Sequence, residues 1–245
     1  MSDAPPGVDP TIVLPDDPSL GPEVQVDYTG YRSTTYRSPG RPLVTLPEEF
    51  HSLTGPVYGE DDLEADDADL TVGNVGEPLG ERIIVSGRVL DEDGRGIPNA
   101  LVEIWQANAS GRYRHDVDQH PAPLDPNFAG AGRCLTDSEG NYRFVTIKPG
   151  AYPWRNHENA WRPAHIHFSL FGRLFEERLV TQMYFPGDPL FAFDPIMNSI
   201  RDPKSRELLI STFDVATTSP EWALSYKWDV VLGHGSRTTP FEEDA

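Results

Sequence analysis

The sequence is short of cysteine, of cationic side chains and of long apolar runs. It holds a single cysteine, Cys134, in 245 residues. That excludes an intrachain disulfide, a cysteine-rich zinc site and a self-contained iron–sulfur cluster, and it suits a reducing, cytoplasmic compartment. No run approaches the roughly 18 apolar residues of a membrane span. The opening MSDAPPGVDP is acidic and proline-rich, unlike a signal peptide. Lys and Arg number 20 against 39 Asp and Glu, a formal net charge of -19. Nucleic acid is therefore not the expected partner, because phosphate binding needs a basic surface. Helical periodicity is scarce too. With 24 prolines and 21 glycines, the composition favours turns and short strands over long helices.

The acidity is unevenly placed. Residues 1–81 carry 17 acidic and 3 basic side chains, whereas residues 82–245 carry 22 and 17. The first segment is expected to be an acidic, proline-rich arm with loops that pack on a partner or on the core. Within it, EDDLEADDAD (60–69) is expected to be a solvated loop. From Arg82 the pattern changes. IIVSGRVL (83–90), ALVEIWQA (100–107), residues 142–147, AHIHFSLFG (164–172), LVTQMYF (179–185) and YKWDVVLG (226–233) read as strands. DEDG (91–94) and Ser138-Glu139-Gly140 read as turns between them. One helix is expected near 202–211, with Asp202 as N-cap and Pro203 at its first position. The sum is an all-β sandwich of two mostly antiparallel sheets with long irregular loops, its catalytic unit spanning 82–245.

AHIHF concentrates the chemistry. Residues two apart on a strand share a face. Ile166, Phe168 and Leu170 suit a core, and His165 and His167 then project together from the other face. Two such imidazoles can chelate one metal, although a His-x-His pair alone is equally a chance pair on a polar face. Upstream lie PGAYPWRN (149–156), with Tyr152, Trp154 and Arg155, and WQANASGRYRH (105–115), with Trp105 and Tyr113. Tyrosinate is a hard anionic ligand. Its free pKa of about 10 means that only a strong stabiliser, such as a highly charged ion, holds it ionised. Fe(III) is the biological candidate.

These strings resemble the intradiol ring-cleaving dioxygenases, from about Tyr31 to Phe241. The resemblance is densest in GERIIVSGRVLDEDGRGIPNALVEIWQANASGRYRH, LDPNFAGAGRCLTDSEGNYRF, TIKPGAYPWRN, WRPAHIHF and TQMYFPGDPL, and it is strongest to the two-chain, protocatechuate-cleaving branch. The resemblance implies a prealbumin-like sandwich and a non-haem Fe(III) held by Tyr113, Tyr152, His165 and His167. It implies a catalytic role for Arg162 and Gln182, with Tyr152 leaving the iron as substrate binds. Tyr31, Trp105, Trp154 and Arg162 are implied to lie at the substrate. It implies cleavage of protocatechuate by O2 between the hydroxylated carbons to 3-carboxy-cis,cis-muconate, and a homologous α subunit as partner.

Two other readings share part of the pattern. An intradiol enzyme for catechol or hydroxyquinol would carry a helical N-terminal region, which residues 1–81 do not show. A non-catalytic prealbumin-like module would use GRVLDEDGRGIPNALVEIW but leave WRPAHIHF and both tyrosines idle. An anionic aromatic acid is an odd substrate for so acidic a chain. Residues 112–162, however, hold 7 basic and 6 acidic side chains, so the ligand-bearing stretch escapes the general acidity.

Overall fold

The computed structural model describes residues 63–64, 66–155, 158–171, 178–233 and 239–240. Tyr31 and most of the acidic arm lie outside the described residues. Two sheets face each other. The first is built on β1 (Arg82–Leu90), with β4 (Asn141–Ile147) antiparallel on one side. On its other side run β10 (Leu224–Lys227) and β11 (Val230–Val231), both parallel to β1, and β9 (Thr212–Phe213) pairs antiparallel with β10. The second sheet has the order β3-β2-β7-β8, all antiparallel. It comprises β2 (Leu101–Trp105), β3 (Ala131–Leu135), β7 (His165–Phe171) and β8 (Arg178–Tyr184). A two-stranded ribbon of β5 (Tyr152–Pro153) and β6 (Trp161–Arg162) stands apart.

Alternation explains the core. Ile83, Val85 and Val89 of β1, Phe144 of β4, Val102 and Ile104 of β2, and Ile166, Phe168 and Leu170 of β7 are buried between the sheets. Phe168 anchors the contact, with its ring 4.8 Å from Trp228 and 5.8 Å from Tyr142. Burial of each such side chain contributes about 1.5–3 kcal/mol. The turns at 91–94 and 137–140 form as the sequence predicts. Asp91 and Asp137 each accept backbone N–H groups two and four residues on, and Gly94 and Gly140 take the positive φ that follows.

Four expectations need correction. YKWDVVLG is two strands rather than one. Trp228 N–H bonds Ser86 O and the Asp229 carboxylate takes Arg88 N–H, so the ladder with β1 is interrupted between β10 and β11. The helix near 202–211 is only Pro203–Glu207, with Asp202 accepting from Lys204 and Ser205 N–H as its cap. It stops because Leu209 and Ser211 are drawn to Tyr184 at the end of β8, exchanging bonds of 2.8 Å on either side of it. It is also not the only helix among the described residues. The same Asp-Pro start opens a 3-10 turn at Pro189–Phe193 and a helix at Pro195–Ser199, here α1, with Pro203–Glu207 as α2. Finally, the described part of 60–69 is not simply solvated. Asp67 bonds Arg133 at 2.8 Å, which holds its carboxyl below the usual range, and Ala68 and Leu70 pack on the core beside Val145. No helix among the described residues is long and apolar enough to cross a membrane.

Candidate metal centre

Every residue of β7 before Phe171 is buried, on both faces. Inward residues meet the other sheet. His165 and His167 face outward and are covered by the loops that carry the tyrosines. Register with the neighbouring strands sets a row of Trp105, His167 and Gln182 across β2, β7 and β8, with Tyr184 opposite His165. The indole of Trp105 stacks on His167, with centroids 4.8 Å apart and planes within 4°.

Tyr113 sits on the long β2–β3 connection. Asn108 nucleates its turn, its Oδ1 accepting from Ser110 N–H and Arg112 N–H at 3.0 Å. Asp118 accepts from Tyr113 N–H at 2.7 Å. Tyr152 lies directly opposite Arg162 in the β5–β6 ribbon, so both project from one face of it. Two glycines let these loops meet backbone to backbone. Gly111 has φ +79°, and a Cβ there would stand 2.5 Å from Ala151 O and 3.2 Å from Tyr152 Cβ; a Cβ at Gly150 would stand 2.4 Å from Ala109 O.

The four predicted donors converge. Tyr113 Oη lies 3.3 Å from His165 Nε2 and 3.0 Å from His167 Nε2, and Tyr152 Oη lies 3.5 Å from His165 Nε2. The two phenol rings meet edge to face at 5.6 Å. His165 Nδ1–H donates to Pro163 O at 2.6 Å, which leaves Nε2 to present its lone pair to the cluster. Burial holds His165 well below the ordinary imidazole range. The Arg162 and His167 charges push the same way, so the ring is neutral and able to ligate.

The donor set fits a hard trivalent ion. Metal–nitrogen bonds of about 2.0–2.1 Å would put adjacent donors roughly 3.0–3.5 Å apart around one ion, the spacing found here. Among the described residues no three His, Cys, Asp or Glu side chains gather to hold a metal, whereas the two histidines here have two phenol oxygens beside them.

Arg162 is buried beside the cluster. Its Nη2 donates to Gln182 Oε1 and, at 3.4 Å, to Tyr184 Oη. Its Nε stands 3.2 Å from Asp194 Oδ1, and its guanidinium lies 5.4 Å from the Trp154 ring centroid. Gln182 Nε2 is buried and, among the described residues, has no hydrogen-bond partner, so a donor remains in the row with His167. Nothing in the sequence pattern points to Asp194 or Tyr184 as partners of Arg162. Asp194-Pro195 signals a helix cap in the sequence, but nothing local announces a partner 32 positions earlier. The predicted substrate residue Trp105 sits against His167, and Trp154 against Arg162. Tyr31 is outside the described residues.

The Dioxygenase family model matches residues 53–234. The chain is 59% identical over 236 residues to the protocatechuate 3,4-dioxygenase beta chain of Burkholderia cepacia, covering 95% of this chain and 98% of that one. It is 34% identical over 165 residues to the protocatechuate 3,4-dioxygenase alpha chain of Pseudomonas putida, covering 66% of this chain and 77% of that one. In fold it is similar to 3-chlorocatechol 1,2-dioxygenase from Rhodococcus opacus 1CP. The TM-score is 0.54 at 23% identity, over 73% of this chain and 70% of that one. With a matching family model over most of its length and a near full-length relative, this chain belongs to the intradiol ring-cleaving dioxygenase family.

Proposed function

We propose that this chain is the iron-bearing subunit of an intradiol dioxygenase that cleaves protocatechuate (3,4-dihydroxybenzoate) with O2 between its hydroxylated carbons. The product is 3-carboxy-cis,cis-muconate, with both oxygen atoms retained. The observation that carries the reading is the convergence of two phenol oxygens and two imidazole nitrogens, each within 3.5 Å of at least one other, beside a buried arginine.

Tyr113, Tyr152, His165 and His167 would hold Fe(III), which when bound supplies a seat for both catechol oxygens and activates the ring toward O2. Each residue has a task of its own. His165 Nε2 stays unprotonated because burial and Arg162 oppose its charging. Trp105 fixes the plane of the His167 ring by stacking. Tyr152 Oη, as phenolate, would accept one of the two protons that the catechol must lose, and hydroxide from solvent would take the other. Arg162 places a permanent positive charge next to the negative charge that develops on the substrate, where a low-dielectric setting amplifies its effect. Gln182 anchors that guanidinium through Oε1 and offers its remaining N–H donors to substrate oxygen. Trp154 lines the Arg162 side of the substrate.

The relative named as a beta chain, and the similarity to one named as an alpha chain, support an αβ assembly for this protein. A homologous α chain would complete the substrate pocket, with residues 1–81 as the arm that packs on partner and core and 82–245 as the catalytic sandwich.

The test is turnover under 18O2 by the chain co-expressed with its α partner, with 3,4-dihydroxybenzoate and catechol in parallel. The reading requires a ring-opened product whose two new carboxyl groups each carry one labelled atom, formed faster from the benzoate than from catechol. No oxygen uptake, or cleavage outside the diol bond, contradicts it.

A further inference from the structure

Asp194 lies outside the donor cluster, between the 3-10 turn and α1, and it is wholly buried. A carboxylate in such a place is retained only with charged or hydrogen-bonding partners. Its Oδ1 accepts from Ile196 N–H at 2.9 Å and lies 3.2 Å from Arg162 Nε. Its Oδ2 lies 2.9 Å from Tyr184 Oη. Tyr184, also wholly buried, stands 2.8 Å from Gln182 Oε1 and accepts from Arg162 Nη2. A phenol has one proton, and the charged carboxylate is the stronger acceptor. The hydroxyl therefore donates to Asp194 and receives from Arg162. Asp194 thus meets the guanidinium at Nε by an ion pair rather than a hydrogen bond, while Gln182 and Tyr184 accept from Nη2, three buried side chains from two separate parts of the fold, β8 and the cap of α1.

We propose that Asp194, acting directly on Nε and through Tyr184 on Nη2, is the positioning residue that fixes the Arg162 guanidinium for ring cleavage. A cation stabilises developing charge only if it is already in place when the charge forms. An arginine carries a long flexible stem, and Asp194 removes that freedom. It also keeps the buried cation from standing as an uncompensated charge. The proposal rests on the reading that Arg162 stabilises the reacting substrate, and the experiment separates the two.

The αβ holoenzyme is prepared with Asp194→Asn, Tyr184→Phe, Arg162→Ser and the double variant Arg162→Ser/Asp194→Asn. Asparagine keeps an acceptor for Ile196 N–H but loses the charge. Asp194→Asn is expected to retain iron and the visible spectrum, to keep KM, and to lose about 10–100-fold in kcat, the range for outer partners of a reacting centre. Tyr184→Phe, which keeps both charges, should lose less and also retain iron. The double variant should be no slower than Arg162→Ser alone, because Asp194 has nothing left to position. An unchanged kcat in Asp194→Asn, losses that multiply in the double variant, or a kcat loss that tracks iron loss would each overturn the proposal. If Asp194→Asn does not fold, Tyr184→Phe and the charge-free double variant decide. Full activity in Arg162→Ser would instead refute the role given to Arg162 itself.

Discussion

Replacement of Arg162 by serine separates folding from chemistry at one side chain. The Arg162 side chain is 4% exposed and that of Asp194 is 0% exposed. Removing the guanidinium leaves a buried carboxylate without its counter-charge, a loss of about 3–5 kcal/mol. Tyr184 and the α1 backbone still bond Asp194, which favours the lower end. Against a typical domain stability of about 5–15 kcal/mol, the variant remains folded at room temperature, so its kinetics are measurable. Serine cannot span to the substrate, and loss of one preorganised charge-stabilising donor costs about 10²–10³ in kcat. Denaturant titration, iron content and steady-state oxygen uptake together read both effects. The expected variant is destabilised, still loaded with iron and slow. A stability loss under about 1 kcal/mol, in the range of exposed pairs, would contradict a buried ion pair. An unaltered kcat would contradict the catalytic role.

The other predictions concern the donors, their loops and the lone thiol. Tyr113→Phe, His165→Ala and His167→Ala should each lose most of the iron, measured by elemental analysis, while Tyr152→Phe should lower turnover and shift the visible band. Gly111→Ala should deplete iron with an unchanged far-UV circular dichroism spectrum, because its Cβ would push the Tyr113 loop off Ala151 and Tyr152 while the sandwich core stays intact. Burial pushes the Cys134 thiol up to about 12, so it should resist an aromatic disulfide reagent at pH 8 until denaturant is added. Because the folded thiol value is raised, its contribution to stability is present below the unfolded value of 9.0 and is lost as pH rises toward about 12. Rapid labelling of the native protein would contradict this.

Much of this molecule is legible in its sequence because its strands obey a period of two. Ile166, Phe168 and Leu170 announce the core, and the same alternation puts His165 and His167 on one face. What alternation does not reveal is cross-strand partnership. AGRCL (131–135), a strand in the structure, has small residues and no β-branched run, so pairing with β2 rather than propensity makes it a strand. The helix at Asp202 was readable from its cap, but its end was not. The pull of Tyr184 on Leu209 and Ser211 is a tertiary contact that outcompetes a local turn. The histidine pair could be named from its spacing, whereas Tyr113 and Tyr152 were implied as ligands by the family resemblance. Their meeting depends on Gly111 and Gly150, whose reason is visible only when the two loops lie against each other. The grip of Asp194 on Arg162 is of the same long-range kind.

The measurement that bears most directly on the central claim is the iron content and visible absorption of the purified protein with its α partner, before and after anaerobic addition of 3,4-dihydroxybenzoate. If Tyr113, Tyr152, His165 and His167 hold one ferric ion, iron is equimolar with this chain. The solution is then red-brown from tyrosinate-to-iron charge transfer, and the band shifts when the diol displaces Tyr152. A colourless protein that takes up no iron, or a spectrum that the diol leaves unchanged, would contradict it.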